Sequence, residues 1–170
     1  MISTLENLPP LEKYRRGKVI IGIDPGVSGG VAVHYVGREV LTFPIPPVVD
    51  AVRDLFEKIT HPESVTTAYL EDVPSYAGKN LPGSRMFRLG ESCGLLRGIL
   101  SSLYINTVLV RPQVWQRALG LKKEKGMEQA AWKRALQAAA QELYPDTKIT
   151  QKTADAVLLM HYGTTQPSQC

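Results

Sequence analysis

Lys18-Val-Ile-Ile-Gly-Ile-Asp24-Pro-Gly26 is the stretch on which the fold turns. Val19, Ile20, Ile21 and Ile23 make a short β-branched run suited to a buried strand. Asp24 ends that run, and Pro25 and Gly26 turn the chain away, leaving the carboxylate at the rim of the sheet. An acid in such a place is costly without a partner.

On the N-terminal side, residues 1–17 carry two prolines and the Arg15–Arg16 pair without sustained periodicity, and are expected to form an arm. On the C-terminal side, Gly29 to Val36 and Glu39 to Phe43 resume strand composition around Gly37, so a strand followed by a hairpin opens the fold. After the Pro44, Pro46, Pro47 breaker, Val48, Val49, Val52, Leu55, Phe56 and Ile59 recur at helical spacing. Thr66 to Leu70 reads as a strand ending at Glu71, and Pro74 to Ser84 as a loop. Met86, Phe87, Leu89, Cys93, Leu96, Ile99, Leu100 and Leu103 mark a long helix, Thr107 to Val110 a strand, and two or three helices follow to about Gly163. Strands first, then alternating helix and strand, predict an α/β fold with a mixed sheet and helices on its faces. The expected organisation is an arm (1–17), one domain (18–163) and a short tail (164–170).

Composition narrows the function classes. At 170 residues there is room for one core. No apolar run approaches the ~20 residues of a membrane span, and the N-terminus lacks the apolar core of a secretory signal, so a cytoplasmic location is expected. With two cysteines, Cys93 and Cys170, neither a disulfide framework nor a cysteine zinc site is expected. Twenty Lys and Arg against sixteen Asp and Glu give a net charge of +4, compatible with a polyanionic partner.

Two further acids share Asp24's setting. Thr67-Ala-Tyr-Leu-Glu71-Asp72 is a second strand ending in acids, and Asp155 in Thr153-Ala-Asp155-Ala-Val-Leu-Leu enters an otherwise apolar helix near its start. Each has a structural alternative: Asp24 could shape its turn, Glu71 could pair with a surface lysine, and Asp155 with Thr153 could cap its helix. Jointly, three carboxylates from strand, strand and helix suit hard, oxygen-seeking Mg²⁺ or Mn²⁺ and metal-assisted phosphodiester hydrolysis.

These residues carry a resemblance. Ile21 to Ala32 (IGIDPGVSGGVA), Leu70 to Val73 (LEDV), Phe87 to Leu100 (FRLGESCGLLRGIL), Val110 to Gly120 (VRPQVWQRALG) and Thr153 to Leu159 (TADAVLL) are similar, in order and spacing, to the RuvC-type Holliday junction resolvases. That family includes bacterial and phage members and, more remotely, plant chloroplast resolvases. The resemblance implies an RNase H-like sheet with helices on both faces, and Asp24, Glu71 and Asp155 as ligands of Mg²⁺ or Mn²⁺, two ions per site. It also implies paired nicks in four-way DNA junctions leaving 5′-phosphates, made by a homodimer. Gly90, Gly94 and Gly98 recur every fourth residue and form one stripe on a helix. Arg88, Glu91 and Arg97 exclude a lipid setting, so the stripe packs either on the domain's own sheet or, as the resemblance implies, in a dimer interface.

Candidate DNA contacts flank the acids. Tyr76, Lys79 and Asn80 in the Pro74–Ser84 loop, with Arg85 and Arg88 beyond it, combine positive and aromatic groups; Arg111, Arg117, Lys122, Lys123 and Lys125 make a second basic stretch. Trp115 and Trp132 read as core, and His161, six positions after Asp155, as a late-helix residue.

One position departs from the family pattern. Family members commonly place an acidic or histidine ligand about one helical turn before the last aspartate, where this chain has Lys152. Lys152 could serve a catalytic or phosphate-binding role, Asp146 or Asp72 could complete the site, or metal binding could be impaired. Some relatives also carry a lysine in the segment where this chain has Trp115, Gln116 and Arg117. Two rivals stand beside a nuclease. A junction-binding protein with impaired cleavage is motivated by Lys152. An actin-like kinase, suggested by Asp24-Pro-Gly26 and Ser28-Gly-Gly30, needs a second lobe for which the chain is too short.

Overall fold

A computed structural model of the chain describes residues 17–26, 28–73 and 83–167. Most of the expected N-terminal arm and of the Pro74–Ser84 loop, with Tyr76, Lys79 and Asn80, lie outside the described residues, as does Cys170. The order of elements is β1 (Lys18–Asp24), β2 (Gly30–Tyr35), β3 (Val40–Pro44), α1 (Val49–Ile59), β4 (Val65–Glu71), α2 (Gly83–Ser102), β5 (Asn106–Val110), α3 (Pro112–Ala118), α4 (Gln129–Leu143) and α5 (Ala154–Thr164). The strands lie side by side as β3-β2-β1-β4-β5. The first three are antiparallel, whereas β4 runs parallel to β1 and β5 parallel to β4.

Alternation along the central strands separates two cores. Val19, Ile21 and Ile23 of β1, Val31 and Val33 of β2, and Ala68 and Leu70 of β4 meet α1 and α2 through Leu55, Phe56, Leu96 and Leu100. Ile20, Ala32 and Tyr69 point the other way, onto α3, α4 and α5 through Trp115, Trp132, Leu136 and the apolar body of α5. Helices therefore cover both faces, which is why β1 reads as a continuous apolar run instead of an alternating one.

α5 is buried along nearly its whole length, from Ala154 to Met160 and again at Gly163. It lies against β1 because Gly22 has no side chain: a Cβ there would meet the Ala156 carbonyl oxygen at 2.1 Å and the Met160 nitrogen at 2.4 Å. Gly30, paired with Asp24, plays the same part at the rim, where a Cβ would come within 2.6 Å of the Lys152 carbonyl oxygen and 3.0 Å of Thr153 Cα. Two glycines thus let the start of α5 sit directly on the end of β1. Among the described residues no helix is long and apolar enough to cross a membrane.

Candidate active site

The same alternation aims the strand-end acids. Asp24 follows Ile20 and Gly22 on the α5 face of β1, and Glu71 follows Tyr69 on the α5 face of β4. With the two strands parallel and Ile23 opposite Leu70, Asp24 and Glu71 emerge at the same end of neighbouring strands. Asp155, in the first turn of α5, faces them from above that rim, with only 9% of its side chain exposed. The three acids drawn from the sequence are thereby brought into one electrostatic cluster.

Its energetics are those of crowded, buried like charges. Burial, then the Glu71 carboxylate, then that of Asp155 hold the Asp24 carboxyl well above its ordinary pKa, against the pull of a nearby Lys133. Glu71 is raised to about 7 by burial and by Asp155, opposed by a hydrogen bond from Trp115 and by Lys133. Asp155 has one oxygen engaged: Lys133 Nζ donates to Oδ2, while Oδ1 is buried without a hydrogen-bond partner. Such an orphaned acceptor marks a place where a donor or a cation belongs. As they stand, no three His, Cys, Asp or Glu side chains among the described residues are gathered closely enough to hold one metal ion.

Two contacts hold the acids in ways the sequence did not reveal. Trp115, completely buried as its core assignment required, also donates its indole N–H to Glu71 Oε2 at 3.2 Å, so α3 orients the second acid. Lys133 is the larger surprise. Trp132, Leu136 and Ala140 form the apolar stripe of α4, and beside it Lys133, Gln137 and Gln141 form a polar one at the same four-residue spacing. Gln137 donates to the Ile149 carbonyl and Gln141 to those of Tyr144, Pro145 and Thr147, securing the α4–α5 connection. Lys133 ends that stripe on Asp155. Burial lowers its pKa, but the Asp155 charge and hydrogen bond, with Asp24 and Glu71 behind them, raise it above the ordinary lysine value overall.

Lys152 lies elsewhere. It is exposed on the turn entering α5, its backbone against Gly30, and the ammonium paired with Asp155 belongs to Lys133. Asp72 and Asp146, the other acids weighed for the site, also lie outside the trio: Asp72 meets exposed Arg111 at 3.6 Å, a pair of small energetic weight, and Asp146 lines a different cleft.

The remaining basic candidates are surface groups. Arg85 and Arg88 are exposed on the first turns of α2, and Arg117, Lys122 and Lys123 border a cleft of about 450 Å³ with Gln113 and Gln116. Lys123 also donates to Gln129 Oε1 at 2.8 Å. That cleft is backed by α3, whose inner face carries Trp115 to Glu71. The middle of α2 borders the acids as well: Gly26, in the turn after Asp24, donates its N–H to Ser92 Oγ at 3.1 Å. Burial and the charges of Asp72, Glu71 and Asp24 raise the neighbouring Cys93 thiol, with Arg97 opposing. Gly90, Gly94 and Gly98 are exposed, and among the described residues a Cβ on any of them would meet nothing within 4 Å. The stripe therefore does not pack on the domain's own sheet. Phe87, one turn from Gly90, is 67% exposed. His161 lies late in α5, accepting or donating at Nδ1 with the Tyr144 hydroxyl at 2.9 Å. A cleft of about 710 Å³ between β3 and the α4–α5 connection contains none of the three acids.

Comparison with known protein families and with curated proteins finds no match. Among solved structures, the chain is similar to RuvC of Thermus thermophilus in complex with a Holliday junction substrate, with a TM-score of 0.54 and 15% identity over 84% of this chain and 92% of that one. It is similar to a second Thermus thermophilus RuvC structure with a TM-score of 0.51, at the same identity and coverage. At that identity the likeness speaks for the architecture, and the chain has a RuvC-like, RNase H-type α/β fold.

Proposed function

We propose that this chain is a divalent-metal-dependent endonuclease that resolves four-way DNA junctions by paired nicks leaving 5′-phosphates. The observation carrying the reading is the convergence of Asp24, Glu71 and Asp155, from two parallel strand ends and a helix start, with one buried Asp155 oxygen left without a partner. The similarity in fold to a junction-bound RuvC supports it.

The donor set fits a hard cation in kind: all three are carboxyl groups, and Asp24 and Glu71 are held at raised pKa by burial and by neighbouring carboxylates whose repulsion a cation would relieve. Asp24, Glu71 and Asp155 would hold Mg²⁺ or Mn²⁺, two ions in the full site, once the three side chains are drawn together from the positions they have here. Bound there, such ions polarise a phosphodiester and supply hydroxide near neutral pH. The protein's own part is to place the carboxylates: α5 through Gly22, Glu71 through Trp115. Arg85, Arg88, Arg111, Arg117, Lys122 and Lys123 take the DNA phosphates in this reading, with Tyr76, Lys79 and Asn80 from the loop after Glu71. Lys152, exposed at the start of α5, is assigned a phosphate contact from outside the acid cluster. Gly90, Gly94 and Gly98 on α2 form the contact face of a homodimer, whose two sites match a two-fold junction.

A second reading, a junction-binding protein with impaired cleavage, is favoured by one observation: the cation in the acid cluster is a lysine. One assay separates the two. With Mg²⁺, a synthetic four-way junction should be nicked while a linear duplex of the same sequence is spared, and Asp24→Asn, Glu71→Gln and Asp155→Asn should each abolish nicking with junction binding retained. Junction binding without cleavage by the wild type at any Mg²⁺ or Mn²⁺ concentration selects the second reading.

A further inference from the structure

The acid cluster already contains a cation. Lys133 reaches across from α4 to Asp155 Oδ2, on a carboxylate whose other oxygen is buried and unpartnered. Its side chain is 37% exposed, so it is not sealed into the core. It feels all three carboxylates, Asp155 most strongly and then Asp24 and Glu71. Among the described residues no other lysine or arginine acts on Asp24 or Glu71. Among the described residues a single positive charge thus offsets one buried and two half-buried acids, and it occupies one of the few oxygens a divalent ion would need.

We propose that Lys133 is the resident counter-cation of this site, holding Asp155 in the metal-free protein and yielding that carboxylate when a divalent ion enters. The exchange is between charges of the same sign at the same oxygens, so the two cations compete. Lysine keeps the acids tolerable in the folded chain before metal arrives, and its departure frees Asp155 to close toward Asp24 and Glu71. The four-residue stripe of Lys133, Gln137 and Gln141 makes the arrangement a property of α4, since the two glutamines fix the helix to the segment leading into α5. The inference rests on the metal-site reading above but assigns Lys133 a role that reading does not require.

The test uses full-length protein and Mn²⁺ as probe, without DNA. Lys133→Met keeps length and apolar stem but removes the charge. Its melting temperature in EDTA should fall by roughly 3–8 °C relative to wild type, in a chain of this size, and its Mn²⁺ affinity should rise about tenfold or more because no internal cation is displaced. Lys133→Arg should restore the metal-free melting temperature, and Lys58→Met, on exposed α1, should change neither quantity. A second measurement needs no variant: acetylation of Lys133 in the wild type, read by mass spectrometry, should be suppressed in EDTA and rise several-fold with saturating Mg²⁺. Unchanged Mn²⁺ affinity in Lys133→Met, or Lys133 equally reactive with and without metal, overturns the exchange while leaving the metal site standing. Wild-type protein whose Mn²⁺ binding is absent, or indifferent to Asp24→Asn and Asp155→Asn, overturns the metal site and the exchange together.

Discussion

At the scale of single residues, the site is held by groups whose roles follow from charge and not from reactivity. Glu71 shows this best. Its carboxyl has a pKa of about 7 in the fold against 4.5 when free, so the folded state prefers it protonated. The stability it lends the metal-free protein is complete below pH 4.5 and is lost as pH rises through about 7; Asp24, shifted in the same direction, acts in the same sense. We therefore expect the melting temperature in EDTA to fall between pH 4.5 and 8, and Glu71→Gln to flatten that fall. A divalent ion, which requires the carboxylates ionised, should bind more tightly across the same window. That Asp24, Glu71 and Asp155 are acids at element ends was legible from the sequence, because an acid closing an apolar run has few structural uses. Lys133 was not legible, since a lysine on an amphipathic helix ordinarily faces water and its contact with Asp155 spans 22 positions that only the packing of α4 on α5 closes. The available signal was the run Lys133, Gln137, Gln141, a polar stripe one residue round from an apolar one.

At the scale of elements, β1 and α5 decide whether the acids meet. The sequence displayed the strand, the order of elements and the place of Asp155 in the first turn of α5, all of which the fold bears out. It did not display why α5 comes so close, because Gly22 in a strand of Val and Ile looks like a weakness until the helix backbone is set against it. Gly22→Ala forces the Ala156 carbonyl and the Met160 nitrogen away from β1, and overpacking of this kind costs about 1–3 kcal/mol or more. In urea denaturation the midpoint should drop accordingly, and Mn²⁺ affinity should weaken in the same variant as Asp155 moves off Asp24. Full affinity in a destabilised Gly22→Ala protein would mean that α5 finds its place without this contact. The parallel pairing of β1 with β4 was equally out of reach, since hydrophobic pattern gives strands but not their neighbours, and that pairing is what sets Asp24 beside Glu71.

At the scale of the whole molecule, the two faces of the sheet divide the labour. The face bearing α3, α4 and α5 builds the acid cluster; the other bears α2, whose outer glycines meet nothing among the described residues. If that stripe is where two copies meet, Gly94→Arg should halve the mass seen by light scattering at micromolar concentration without lowering the melting temperature of the protomer, because a side chain there meets nothing within the described chain. A wild type that is already monomeric, alone and with junction DNA, would refute the dimer. The indole that steadies Glu71 has one more consequence. The chain has two tryptophans, and one of them, Trp115, is bonded to the second acid, so an indole fluorophore stands at the acid end of the sheet. Its indole emission is therefore in part a local optical probe of the charged rim, sensitive to the charge on Glu71.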